Sequence, residues 1–284
     1  MLKRPETPMC PSDAAPPPQS ARLCPPLCVT DDATFWPWLK WTDFARRTDQ
    51  AATLVVVPIA GMSDWGLGHA LDLEEVLALS VLKDAAARVT PEAGFRVLTL
   101  PPLRFASGPA AACAFPAEPP LVHRLIEEIV AGVAASGFSR IVLYNASPWN
   151  EDLIDVAARD LRIARGLQMF CVNLSALGFD LHPTRGTTRR AAQTLGTYLL
   201  QTEPEPASTF PPMPAHAPTG ESALRWPEED RVEALEGPAA SLAEARRTGP
   251  ALLSAAGARL HALLGEIAAR PPLAHAGAIR PMRP

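Results

Sequence analysis

The chain has 284 residues, 48% of them apolar, and a formal net charge of −4. That length allows one large domain or two small ones with a sizeable core, and the slight acidity leaves no basic footprint for nucleic acid. No run of about 18 apolar residues exists, so no membrane span is expected; Met1-Leu2-Lys3-Arg4-Pro5 lacks the apolar core of a secretory signal, and five scattered cysteines suit reduced thiols in the cytoplasm.

The 32 prolines are clustered and set the outline. Residues 1–33, rich in Pro, Ala and Ser with little periodicity, read as a disordered arm. Within it Cys24-Pro-Pro-Leu-Cys28 is half a zinc site with nothing nearby to complete it. A single domain is expected over 34–269. It opens with a short helix over Thr42–Arg47, N-capped by Thr42, and a strand over Leu54–Val57. A helix follows over Leu73–Val89, where Leu73, Val76, Leu77, Leu79, Ser80 and Leu82 approximate a 3.6 period. Arg96–Leu100 is a strand ending at Pro101-Pro102. Leu121–Ser136 is a helix with Leu121, Leu125, Ile129 and Val133 on one face, closed by Gly137-Phe138. Next come a strand at Ile141–Tyr144, a helix at Leu153–Arg165, a strand at Gln168–Leu174 and a helix at Thr187–Leu200. Residues 201–238 form a proline-rich excursion on which Trp226 docks. One long helix or two cover Ala240–Ala269, and 270–284 is a tail. Strand and helix alternating at this spacing imply a mostly parallel sheet covered on both faces, a three-layer α/β/α sandwich.

Two strand ends carry the candidate site. Val55-Val56-Val57-Pro58 breaks into Ile59-Ala60-Gly61-Met62-Ser63-Asp64-Trp65-Gly66, and Ile141-Val142-Leu143-Tyr144 into Asn145-Ala146-Ser147-Pro148-Trp149-Asn150. A parallel α/β sheet presents its functional groups at such carboxyl ends. The groups found there, Ser and Trp, offer little chemistry.

The ordered motifs from about residue 35 to 268 resemble the creatininase (creatinine amidohydrolase) family. Lys40-Trp41-Thr42-Asp43-Phe44 is similar to its opening Trp-Thr segment. Pro58–Glu74 lies without gaps along its Pro-Val-Gly-Ser-x-Glu-Gln-His-Gly-Pro-His-Leu-Pro-Leu-x-x-Asp motif, with Pro58, Gly66 and Leu71 in step. Leu100-Pro101-Pro102, Gly137-Phe138-Ser139-Arg140-Ile141-Val142 and the Asn145–Asn150 loop follow in the family's order. His182–Arg189 resembles its His-Ala-Gly-Glu-x-Glu-Thr-Ser motif, and Glu236-Gly237-Pro238-Ala239-Ala240-Ser241 its Gly-x-Pro-x-x-Ala motif.

The resemblance implies a creatininase-like fold, oligomers up to hexamers, and a binuclear metallohydrolase in which two divalent ions share a bridging carboxylate and activate water. It also locates the ligand positions. The motif Glu falls on Ser63, the motif His on Trp65 and the bridging Asp on Glu74. In the second loop the His falls on Ser147 and a Glu ligand on Trp149. His182 keeps the His of the third motif, whose acidic positions become Arg185 and Thr187. Neutral hydroxyls are poor ligands and indole has no accessible lone pair, so only Glu74 still suits a metal. The expectation is a degenerate site with no cofactor, its cavity filled by the two indoles. The chain then serves as a structural or regulatory subunit in a homo- or hetero-oligomer with a creatininase-family homologue.

Two other readings stay open. An active amide or lactam hydrolase would use zinc or manganese at a site rebuilt from Asp64, His69, Glu74 and His182. A binding module would use His182 and the loop tryptophans as an aromatic clamp. Ser147 served by His182 as base lacks the Gly-x-Ser-x-Gly elbow, and Ser147 reads better as a cap for the next helix. Asn145 and Asn150 are expected to fix the loop turn. Arg185, Arg189 and Arg190 suit an anion pocket, an oligomer salt bridge or a solvated face. Cys113 and Cys171 read as core.

Overall fold

A computed structural model describes residues 34–63, 65, 69–108, 113–182, 186–204 and 240–271, with Gly186 and Thr187 by backbone alone. The expected arm, Cys24 and Cys28, nearly all of the excursion with Trp226, and the chain beyond Pro271 lie outside them. Five strands, β1 (Thr53–Ala60), β2 (Arg96–Thr99), β3 (Leu103–Arg104), β4 (Arg140–Asn145) and β5 (Gln168–Asn173), form one sheet in the order β2-β1-β4-β5, with β3 also on β1. Every strand pair is parallel. Six α-helices among the described residues accompany it: α1 (Trp41–Arg46), α2 (Leu73–Ala87), α3 (Pro119–Ala135), α4 (Glu151–Arg165), α5 (Gly186–Leu200) and α6 (Leu242–Ala269). No helix among the described residues is long and apolar enough to cross a membrane.

Alternation along the strands divides the core in two. Leu54, Val56, Val142 and Tyr144 pack under α2, α5 and α6, whereas Val55, Val57, Ile141 and Leu143 pack under α3 and α4. Both faces are covered, which is why these strands read as continuous apolar runs. The result is the expected three-layer α/β/α sandwich. On one outer layer α6 approaches its neighbours through small residues: a Cβ on Gly249 would overlap the Tyr198 ring of α5, and one on Gly257 would overlap Asp84 of α2.

Several boundaries differ from expectation for identifiable reasons. Lys40, not Thr42, caps α1, because the Asp43 carboxylate accepts the Lys40 N–H at 2.8 Å and starts the helix a residue early. The first strand does not stop at Val57 but runs through Pro58 to Ala60. Val56 and Ala60 carbonyls accept from Leu100 and Phe105, while the Ile59 carbonyl accepts from Ala146 on the β4 side. Pro58 therefore turns its missing donor toward the gap between β2 and β3, where no ladder bond is required. Residues 242–269 are one helix despite Pro250.

The residues just after α6, expected as free tail, are held. Buried Arg140, the first residue of β4, donates to the Ala268 and Arg270 carbonyls at 2.9 Å each and to Gln168 Oε1 at 2.9 Å. Gln168 in turn donates to the Pro271 carbonyl at 2.7 Å. The last carbonyls of a helix have no intrahelical donor, and this guanidinium supplies one.

Candidate functional site

The strand order reverses between β1 and β4, so the crevice beyond their carboxyl ends is the switch point of the sheet. Its walls are the turn after β1, the turn after β4, the first turn of α2 and the loop around Ser107–Gly108. The two asparagines bracket it. Asn145 Oδ1 accepts the Ser147 N–H at 3.1 Å, while its Nδ2 donates to the Ser147 carbonyl at 2.7 Å and to Asn173 Oδ1 at 3.0 Å. Asn150 Oδ1 accepts from the Ser107 N–H and its Nδ2 donates to the Phe105 carbonyl, both at 2.9 Å. Asn145 thus shapes its own loop, and Asn150 pins the neighbouring one.

Glu74 lies at the centre, fully buried. Its Oε2 accepts the Gly61 N–H at 2.5 Å. Gly61 has little room for a side chain: a Cβ there would stand 2.8 Å from that of Ala106 and 3.0 Å from Glu74 Oε2. Burial raises the Glu74 pKa above the ordinary carboxylate range, partly opposed by the Gly61 N–H and by the polar ends of Ser147, Ser63 and Trp65. Yet Glu74 Oε1, Ser147 Oγ and Trp65 Nε1 are buried without a well-formed hydrogen bond among the described residues. Ser63, Trp65, Glu74 and Ser147 are therefore brought together around one carboxyl group.

Aromatic rings close the crevice. Trp65 is only 2% exposed. It stacks on Trp149 with ring centroids 6.0 Å apart and planes 8° from parallel. The Trp149 ring meets His182 at 5.2 Å and lies against Gly108, where an added Cβ would be 2.7 Å from Cδ1. The two indoles stack on each other and leave no slot between them for a third ring, so they do not form an open clamp.

Cys113, read from sequence only as core, faces this site: its Sγ is 3.5 Å from Ser63 Oγ. Burial pushes its thiol up to about 11, with Ser63 opposing and the Glu74 charge adding to the rise. A protonated thiol is a poor nucleophile. Nothing in the local spacing around Gly61, Gly108 and Cys113 marked them as neighbours, because their proximity is set by the sheet.

His69 and His182 have partners other than Glu74. His69 Nε2 pairs with Thr197 Oγ1 of α5 at 3.1 Å. The His182 N–H donates to Asp180 Oδ1 at 2.8 Å. Asp64 and Arg185 are outside the described residues, and so is the Thr187 side chain. Ser147 Oγ makes neither the expected cap bond nor a bond to His182. Its hydroxyl lies beside Glu74 instead. Arg189 is 2% exposed, which overturns a solvated face for it; burial lowers its pKa. Among the described residues no group of three or more His, Cys, Asp or Glu is placed to hold a metal ion.

Burial lowers the His69 pKa to about 4, from an ordinary 6.5. The unfolded chain takes up a proton near 6.5 that the folded chain refuses until about 4, so this contribution is complete above 6.5 and is lost as pH falls toward 4. The loss expected is on the order of 1–3 kcal/mol, discounted for partial exposure. Urea unfolding between pH 4 and 8 checks it: His69→Gln should flatten the acid limb, and an unchanged limb would refute the assignment.

A family model described as Creatininase: Creatinine amidohydrolase matches residues 38–229. Among solved structures, a putative creatinine amidohydrolase from Bacteroides fragilis NCTC 9343 is 13% identical with a TM-score of 0.62, covering 85% of this chain and 98% of its own. A creatinine amidohydrolase (creatininase) is 17% identical with a TM-score of 0.55, covering 84% and 99%. A structure described as creatininase Mn is 16% identical with a TM-score of 0.57, also covering 84% and 99%. No curated protein matches in sequence. At these identities the structures show the fold, and the family model, spanning more than half of the sequence, settles the rest: the chain belongs to the creatininase family.

Proposed function

We propose that this chain is a non-catalytic member of its family, a structural or regulatory subunit working beside a homologue that keeps an intact metal centre. One observation carries the reading. At the switch-point crevice, the positions that the family resemblance assigns to ligands hold two hydroxyls, two indoles and a single carboxyl group. That carboxyl is buried and bonded to the Gly61 N–H.

The zinc or manganese associated with creatininases does not fit this donor set. A hard or borderline divalent ion needs about three anionic or imidazole ligands. Serine hydroxyls are neutral, indole nitrogen is a donor only, and burial disfavours the charge on Glu74. A site rebuilt from His69, Glu74 and His182 would have to withdraw His69 from Thr197 and the His182 ring from Trp149. The indoles supply apolar bulk where removal of ligands alone would leave a void lined by desolvated polar groups, each costing about 1–3 kcal/mol.

The test is elemental analysis of the purified chain after incubation with zinc and manganese and desalting, with a creatinine hydrolysis assay on the same sample. Fewer than about 0.1 ion per chain and no turnover are expected. One or two ions per chain would overturn the reading and redirect attention to Glu74, His69 and His182. Recovery of a creatininase-family homologue with the native chain is the expected sign of the subunit role.

A further inference from the structure

The sheet has one edge that the crevice does not explain. β2 ends the strand order β2-β1-β4-β5 and has no strand on its outer side among the described residues. A free strand edge is a row of unpaired backbone groups, and native proteins cover or blunt it. Here the first described residues begin that cover. The Thr34 carbonyl accepts the Thr99 N–H at 2.7 Å, and Phe35 bridges Thr99 in parallel. The Leu100 N–H points the other way, to the Val56 carbonyl of β1. Alternation then turns the Val97 N–H outward like that of Thr99, with no such carbonyl bonded to it among the described residues.

Beside this edge lies a pocket of about 210 Å³, lined by Thr34, Lys83, Ala86, Val89, Arg96 and Val97. Its floor is apolar and its rim carries two exposed cations. The Arg96 guanidinium donates to the Pro91 carbonyl at 3.3 Å, and neither Arg96 nor Lys83 has an ion pair among the described residues. The sequence just before Thr34 supplies the complement: it reads Val29-Thr30-Asp31-Asp32-Ala33. Thr34 is itself part of the pocket wall, so Asp32 and Asp31 follow it within about 7 and 11 Å of chain, and Val29 within about 18 Å. Exposed ion pairs are individually weak, but so short a tether holds these partners at high effective concentration. We infer that the acidic segment before Thr34 docks in this pocket, seating Asp31 and Asp32 against Lys83 and Arg96 and Val29 on the apolar floor, so that the chain covers the free edge of its own sheet. This docking is independent of what the crevice does.

Amide hydrogen exchange on the full chain tests it, with Val97 as the probe and Leu54 of β1 as the control for global opening. Asp31→Asn combined with Asp32→Asn should speed Val97 exchange at least ~5-fold and leave Leu54 within ~2-fold. Reversing the aspartates alone (Asp31→Lys with Asp32→Lys) or the rim alone (Lys83→Glu with Arg96→Glu) should do the same. Combining all four changes should return Val97 to within ~2-fold of the native rate, a rescue that only this contact provides. A Val97 amide indifferent to the asparagine pair overturns the inference, and so does a four-fold swap that exchanges no more slowly than either reversal. Equal acceleration at Leu54 also overturns it, because the aspartates would then act on overall stability. Protection of Val97 that grows with chain concentration over about 1–200 µM would assign the pocket to a segment of another molecule and overturns it as well.

Discussion

Trp65→Ala is expected to destabilise the fold by about 3–5 kcal/mol, read as a fall in the urea midpoint at constant slope. The indole is almost wholly buried and its neighbours have little freedom to fill the space. Trp149 is already pressed against Gly108, and Glu74 is tied to the Gly61 N–H. Trp149→Ala should cost less, about 1–3 kcal/mol, because that ring is only partly buried. The two losses should not add, since the stacked pair shares one contact worth about 0.5–1.5 kcal/mol. A loss below about 1 kcal/mol for Trp65→Ala would mean that the indole is not packed as described.

The second large effect separates a carboxyl group kept for packing from one kept for charge. Glu74→Ala should cost about 3 kcal/mol or more, because it opens a cavity and strands the Gly61 N–H. Glu74→Gln keeps the shape and the acceptor, and should equal or exceed the native chain at pH 8 by about 1 kcal/mol. The folded carboxyl binds its proton more tightly than the unfolded one. Native stability therefore gains from this group as pH falls through the raised pKa toward 4.5, and the advantage of glutamine shrinks over that interval. Glu74 and His69 pull in opposite directions there, so pH series on both variants are needed to separate them. A Glu74→Gln chain markedly less stable than the native one at pH 8 would show that the ionised form is required.

Much of the architecture is legible because it rests on short-range patterns. Leu121–Ser136 announces a helix through its apolar spacing and Gly137, although the face it buries is that of Val122, Ile126, Val130 and Val133, with Leu121 and Leu125 exposed, and Ile141–Tyr144 announces a strand buried on both faces. Pro58 misleads because its effect depends on which neighbour its missing donor faces, a property of the sheet rather than of the chain. The two-residue strand β3 carries too little pattern to detect. At the site, motif position brings Ser63, Trp65, Glu74 and Ser147 into one group, and the carboxyl end of a strand says why. Orientation was not legible. Ser147 reads as a cap but turns to Glu74; His69 reads as a ligand candidate but pairs with Thr197. Cys113 reads as core, which it is, yet its sulfur borders the site across fifty residues of sequence.

The Arg140 clamp has a consequence for handling the molecule. Arg140 begins β4 and Asn145 ends it, so the residue that holds Ala268 and Arg270 sits about 16–17 Å along the strand from the crevice. The polypeptide leaves Pro271 at the pole of the sheet opposite Glu74 and Trp65. A fluorophore or surface tether attached at position 271 itself would therefore stand clear of the crevice, whereas one grafted into the Ser107–Gly108 loop would press directly on Trp149.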